Sequence, residues 1–199
     1  MFDPVPRKIG GALDAGTIRR MTAATYQSKH EADQSLDGFE LDKDLSTPEQ
    51  KIYHNPTTKE TVVAHRGTKG LGDWTNNAAY LVGRYGQTKR YQRAKKKQQE
   101  VIDKYGKVTT TLGHSQGAII SRKLNNRGMT DEVINVNPAT KGARERKNVT
   151  TIKSSFDPVS ILHKKKRGDI TIHNRTYNPL TEHSANVLDR VDYHKRIGK

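Results

Sequence analysis

Residues 107–127 contain the pattern that most constrains the fold of this chain of 199 residues. "KVTTTL" is short and rich in β-branched residues, which predicts a strand, and "QGAIISRKLNN" has the spacing of an amphipathic helix. Between them, residues 113–117 read Gly-His-Ser-Gln-Gly. A sharp turn from a strand into a helix leaves no room for a Cβ atom two residues either side of its central residue. The two glycines therefore predict such a turn, with the hydroxyl of Ser115 lifted clear of the sheet.

Strands and helices alternate along the rest of the chain. Two short strands are predicted around the Asn55-Pro56 turn, and three more in "EVINVN", "NVTTIKS" and "DITIH". Helices are predicted over residues 13–36, 73–83 and 88–105. This order predicts a compact α/β fold, with a mostly parallel sheet and helices on both faces. We expect one domain over residues 1–199, with residues 1–49 as a helical or irregular N-terminal extension.

A second segment carries a resemblance to a known family. In "VVAHRGTKGLGDW" (residues 62–74) a buried strand is followed by Arg-Gly-Thr and then by Asp-Trp. This R-G-T-x(4)-D-W pattern, with G-H-S-x-G about 47 residues further on, resembles the class 3 lipases, the fungal-lipase-like branch of the α/β-hydrolase superfamily. The resemblance covers residues 50–190. The sequence differs from the usual pattern of this family at His65, where most members have an aromatic or aliphatic residue.

The resemblance implies an α/β-hydrolase-like fold and a serine esterase or lipase that cleaves carboxylic esters. It assigns Ser115 as the nucleophile and Thr68 to the oxyanion hole, with Gln116 as the second donor because it follows the nucleophile. The segment after Thr68 is predicted to form a lid or rim. About 42 residues separate Ser115 from Asp157, which leaves no room for a large cap domain.

A serine nucleophile needs a base, and the base needs an orienting carboxylate. In α/β-hydrolases the acid and then the histidine follow the serine along the chain. Asp157 follows the predicted strand "NVTTIKS" in an Asp-Pro-Val loop, which also matches the resemblance. His183 lies in "NPLTEHSANVL", after the last predicted strand, and His173 at the end of "DITIH" is the alternative base.

No cofactor or metal is expected, because the sequence has no H-E-x-x-H motif and no phosphate-binding glycine loop. Ser115 would attack an ester carbonyl, His183 would take and return the proton, and Asp157 would orient the imidazole. The expected substrate is a lipid, a phospholipid or another ester.

The charge is strongly positive and unevenly placed. The net charge is +15, with −2 on residues 1–62 and +17 on residues 63–199. Such a surface favours peripheral contact with an anionic membrane, or non-specific contact with nucleic acid. "KRYQRAKKK" and "HKKKRG" motivate a second hypothesis: a basic nucleic-acid- or virion-associated protein on a hydrolase scaffold, weakly active or inactive.

The start of the chain shows no apolar core of a secretory signal, and no apolar run reaches the 18 or so residues of a membrane span. From the sequence we therefore expect a cytoplasmic or particle-associated protein without a transmembrane segment.

Overall fold

The computed structural model describes residues 13–68, 88–140, 148–163, 169–173 and 175–191. Within these ranges eight strands form one sheet, in which every strand lies beside its neighbours in sequence. The strands are β1 (Ser35–Leu36), β2 (Phe39–Leu41), β3 (Gln50–His54), β4 (Thr61–His65), β5 (Thr110–His114), β6 (Glu132–Val136), β7 (Val149–Ser154) and β8 (Ile170–Ile172). The α-helices are α1 (Ala15–Ala24), α2 (Lys89–Tyr105), α3 (Gly117–Asn126) and α4 (Pro179–His183).

The sheet has an antiparallel part and a parallel part. Strands β1 to β4 pair antiparallel, and β4 to β8 pair parallel. Four of the seven pairings are therefore parallel, and the prediction of a mostly parallel sheet is confirmed. The carboxyl ends of β5 and β7 lie at the same edge of the sheet, which brings the loops after them together.

Helices cover both faces of the sheet, as predicted. One face of β4 and β5 packs, through Val62, Ala64 and Leu112, in the same apolar cluster as α1 and the short 3₁₀ helix Ala185–Arg190. On the other face, α2 packs on Val63 through its Val101. Helix α3 packs beside α2 on this second face.

The predicted helix over residues 13–36 is wrong in its length, because α1 ends at Ala24. Asp14 caps its start by accepting a hydrogen bond from the Thr17 N–H at 2.8 Å. Residues 35–41 instead form the hairpin β1–β2, which turns at Asp37 (φ 50°) and Gly38 (φ 84°). Asp-Gly is a typical pair for a two-residue hairpin turn, because both positions need a positive φ.

The other predicted elements fall where the patterns indicate. The helix over residues 88–105 is α2, which begins after the Thr88 cap and ends at Gly106. The predicted helix over residues 73–83 lies outside the described residues. Among the helices that the structure describes, none is long and apolar enough to cross a membrane.

Candidate active site

Ser115 stands at the tight turn between β5 and α3. Its φ is +53°, in the left-handed region that a serine rarely adopts. The glycines on either side are required by close packing. A Cβ atom on Gly113 would lie 2.2 Å from the Ser121 Oγ, and one on Gly117 would lie 2.2 Å from the His65 carbonyl oxygen. The predicted reason for the two glycines is therefore confirmed.

Asp157 and His183 form a buried pair at the same edge of the sheet. Asp157 follows β7, and its Oδ1 lies 2.9 Å from the Nδ1 of His183. The carboxylate also accepts the N–H groups of Val159 at 2.9 Å and Ser160 at 3.1 Å, which fix its position. A carboxylate can only accept here, so the proton is on Nδ1 of His183 and Nε2 is the basic nitrogen.

His114, the residue before Ser115, connects the turn to His183. Its Nε2 lies 2.8 Å from the His183 carbonyl oxygen and must donate to it. The two imidazole rings lie with their centroids 5.0 Å apart. Burial, followed by the positive charge of a protonated His183, lowers the pKa of His114 to about 4. His114 is therefore neutral at neutral pH and holds the His183 backbone beside the Ser115 turn.

Tyr26, just beyond the end of α1, extends this chain of hydrogen bonds to the Arg66-Gly67-Thr68 loop. Its hydroxyl lies 2.6 Å from the Nδ1 of His114 and accepts the Gly67 N–H at 2.8 Å. Because Nε2 of His114 is the donor nitrogen, Nδ1 accepts and Tyr26 donates. Burial raises the pKa of Tyr26, which keeps the phenol protonated for this role.

The loop after β4 lies directly against the serine. A Cβ atom on Gly67 would lie 2.6 Å from the Ser115 Cβ and 3.1 Å from its Oγ. The next residue, Thr68, has a buried hydroxyl oxygen without a hydrogen-bond partner. Gln116 is buried at the start of α3, where the first N–H groups of a helix favour negative charge. Of the two predicted oxyanion-hole residues, Thr68 thus follows a glycine that contacts Ser115, and Gln116 follows Ser115 directly.

The alternative base is placed differently. His173 follows β8 and its side chain is exposed, whereas the side chain of His183 is 9% exposed and bonded to Asp157. Between the two histidines, the structure pairs His183 with the predicted acid.

Glu182 and Arg190 were not found by the sequence reasoning, yet they hold α4, the helix that ends with His183. Glu182 has no exposed surface and forms an ion pair with Arg190 at 2.9 Å. Its carboxylate also accepts hydrogen bonds from Ser154 in β7 and from Thr176. Burial alone would raise the pKa of Glu182, but the hydrogen bonds from Arg190, Ser154 and Thr176 outweigh it and lower the pKa to about 2.

Glu182→Gln is expected to destabilise the fold and to flatten its acid response. In the folded state the pKa lies below the ordinary 4.5, so the pair stabilises the fold above that pH and loses its effect as pH falls towards 2. Removing one partner of a buried pair costs about 3–5 kcal/mol. Thermal unfolding between pH 7 and 2.5 measures both effects. Glu40→Gln, at an exposed position of β2, is the matched control. Equal pH slopes for Glu182→Gln and the unchanged chain would contradict this role.

Comparison with known proteins agrees with this architecture. No family model matches the sequence, and no curated protein matches it. A fungal lipase with an unusual buried polar cluster is 17% identical, over 79% of this chain and 78% of that chain, with a TM-score of 0.51. A mutant of MDLA from Penicillium cyclopium is 15% identical over 81% and 79%, with a TM-score of 0.51. Lip2 lipase from Yarrowia lipolytica is 13% identical over 72% of each chain, with a TM-score of 0.50.

The chain therefore has the α/β-hydrolase fold of the fungal lipases. The fold that the Arg-Gly-Thr and Gly-His-Ser-Gln-Gly motifs imply is confirmed. The predicted lid or rim (residues 69–83) lies outside the described residues, as do parts of the basic runs.

Proposed function

We propose that this protein is a serine hydrolase that cleaves carboxylic esters through an acyl-enzyme. The observation that carries the proposal is the buried Asp157–His183 pair, which lies against the residue preceding a strained serine. Ser115, Asp157 and His183 also follow one another in the chain order of α/β-hydrolases. The lipase structures of the same fold support this assignment.

In the proposed reaction the Ser115 Oγ attacks the ester carbonyl while Nε2 of His183 takes its proton. Asp157 holds the imidazole in the required tautomer and stabilises the imidazolium that forms. The imidazolium then returns the proton to the leaving alcohol, and an acyl-enzyme forms. Water attacks this ester by the same route in reverse. The N–H groups of Thr68 and Gln116 would stabilise the oxyanion in both steps.

Exposed apolar side chains around the acid and the base favour a lipid ester as substrate. Phe156 precedes the acid and contacts Tyr177 edge to face, with ring centroids 5.4 Å apart. Tyr177 is 83% exposed, and Leu180, in the helix that carries His183, is 55% exposed. The exposed Ile161 lies in the short 3₁₀ helix Ser160–Leu162, which follows Asp157. Large apolar groups exposed together are typical of a surface that contacts a ligand or a membrane.

The positive charge supports peripheral contact with an anionic membrane as the partner interaction. Residues 63–199 carry a net charge of +17, and each Lys or Arg near an anionic surface contributes about 1 kcal/mol. The same charges bind nucleic acid non-specifically at low salt, so nucleic-acid binding alone does not favour the second hypothesis.

Covalent labelling tests the proposal directly. A fluorophosphonate is expected to modify Ser115 alone, with loss of fluoride, because only an activated serine attacks it. Mass spectrometry of the digested protein locates the label. A folded protein that resists the reagent would contradict the hydrolase and favour the basic binding protein on an inactive scaffold.

A further inference from the structure

A group of buried polar atoms without hydrogen-bond partners lies where β3, β4 and the start of α2 meet. In the described part of the chain, fourteen buried side-chain nitrogen and oxygen atoms have no partner. Seven of them belong to Gln50, His65, Arg66, Thr68 and Arg90. Gln50 and His65 are opposite each other in the β3–β4 ladder. Most buried polar groups in folded proteins have hydrogen-bond partners, so such a concentration of unpaired atoms points to a ligand.

Two of these residues line an open cavity of about 510 Å³. Their atoms without hydrogen-bond partners are Nε2 of Gln50 and Nε and Nη1 of Arg66, all of which are donors. Gln50 is only 4% exposed. The wall opposite is the side of α2 that carries Arg93, Lys96, Lys97 and Glu100. The cavity volume is within the range of small-molecule sites, about 300–1,000 Å³.

The cavity has more positive than negative charge. Its two carboxylates are already engaged, Glu49 with Arg93 at 3.0 Å and Glu100 with Lys97. Among the described residues, no carboxylate lies within 4.0 Å of Arg66 or Lys96. Arg66 also repels the buried Lys51. Burial, followed by this repulsion, lowers the pKa of Lys51, and an anion in the cavity would relieve it.

We propose that this cavity binds a phosphoryl group, with Gln50 and Arg66 as the buried donors and Lys96 at the rim. A guanidinium presents N–H donors in a fork that matches phosphate oxygens, and the planar amide adds another donor. The phosphoryl group could belong to the head group of a phospholipid or to a soluble phosphate ester. Binding does not require the proposed hydrolase activity, so it can be measured even if that activity is absent.

The position of the cavity connects it to the ester site. Arg66 lies one residue before Gly67, which contacts Ser115. The backbone of Arg66 is held by the Glu49 carbonyl at 3.2 Å and by the Arg90 guanidinium. A phosphoryl group in the cavity would therefore lie beside the loop that carries Thr68. If the proposed function holds, the cavity selects esters that carry a phosphate.

Gln50→Met tests the site, because it keeps the size of the side chain and removes the buried donor. Isothermal titration of the unchanged chain with inorganic phosphate is expected to show saturable binding that acetate does not reproduce. In Gln50→Met the affinity is expected to fall about tenfold, with no loss of thermal stability in phosphate-free buffer. Lys96→Gln changes only an exposed residue and is expected to weaken binding about threefold. Lys43→Gln, with the same charge change at an exposed residue away from the cavity, is the matched control.

The possible results distinguish a phospholipid head group from a soluble phosphate ester, and they also show whether the proposal is wrong. Equal affinities for inorganic phosphate and glycerol 3-phosphate support a site for soluble phosphate. Much tighter binding of monomeric dihexanoyl phosphatidylglycerol, which is lost in Lys96→Gln, supports a head-group site. The proposal is overturned if phosphate binds no better than acetate, or if Lys96→Gln weakens it no more than Lys43→Gln. These titrations on Ser115→Ala, which cannot turn over an ester by the proposed route, give the same answer.

Discussion

Ser115→Ala is expected to lower the turnover of p-nitrophenyl esters by about 10⁶-fold while the fold stays intact, because loss of the nucleophile in such triads has an effect of this size. The backbone at this position is already held at a φ of +53° by packing around the turn, so alanine takes the same conformation. Initial rates and thermal unfolding, measured on one preparation, give both results.

Ser35→Ala is a matched control for this change, because Ser35 lies at an exposed position of β1. Its turnover is expected to equal that of the unchanged chain. If a clean preparation of Ser115→Ala keeps its esterase activity, Ser115 is not the nucleophile. The covalent label would then be found at another residue.

His183→Ala is expected to reduce turnover nearly as much as the serine change. The reason is that His183 is the proposed base, and its Nδ1 is bonded to Asp157 at 2.9 Å. His173→Ala removes an exposed imidazole and is expected to have a small effect. Asp157→Asn is expected to keep more activity than His183→Ala, because the acid orients and stabilises the imidazole without taking its proton.

The readout is kcat on a soluble ester for all three variants, with thermal unfolding as the check on folding. A large loss in His173→Ala with a small one in His183→Ala would reverse the assignment of the base. The hydrolase class would survive that result, since Ser115 would still be labelled.

The parts of the fold that could be predicted from the sequence are those fixed by local patterns. The strand, turn and helix around Ser115 follow from β-branched residues, two glycines and an amphipathic repeat within about twenty residues. The length of α2 follows from its apolar stripe and from Gly106. The place of Asp157 follows from a proline that stops the chain from continuing as a helix.

The hairpin β1–β2 was missed although Asp37-Gly38 is a strong local signal for it. Its strands are only two and three residues long, too short to show a clear alternation of apolar and polar residues. Ile18 and Met21 are both buried in α1, as their helical spacing predicts. The predicted helix was wrongly continued past Ala24, where α1 ends.

The contacts that position the site could not be predicted, because they join residues far apart in sequence. Tyr26 and His114 are separated by 88 residues, and Glu182 bonds Ser154 across 28. Tyr26 has the helical spacing of Ile18 and Met21, which predicts an apolar face but not the bonds to His114 and Gly67. Glu182, the glutamate before His183, carries no pattern that distinguishes it from a surface residue. Only the packing of α1 and the last helices over the sheet gives them their roles.

The order of the strands in the sheet is the order of their synthesis, which affects when the residues of the proposed triad can come together. Each strand pairs with the one made just before it, so the sheet can grow in the order of synthesis. Ser115 is then seated well before its partners exist, because Asp157 is made 42 residues later and His183 68 residues later. A growing chain would thus carry an unreactive serine for at least the 68 residues between Ser115 and His183. If the proposed triad is the active site, reactivity towards esters would begin only after the segment with His183 has packed beside Asp157.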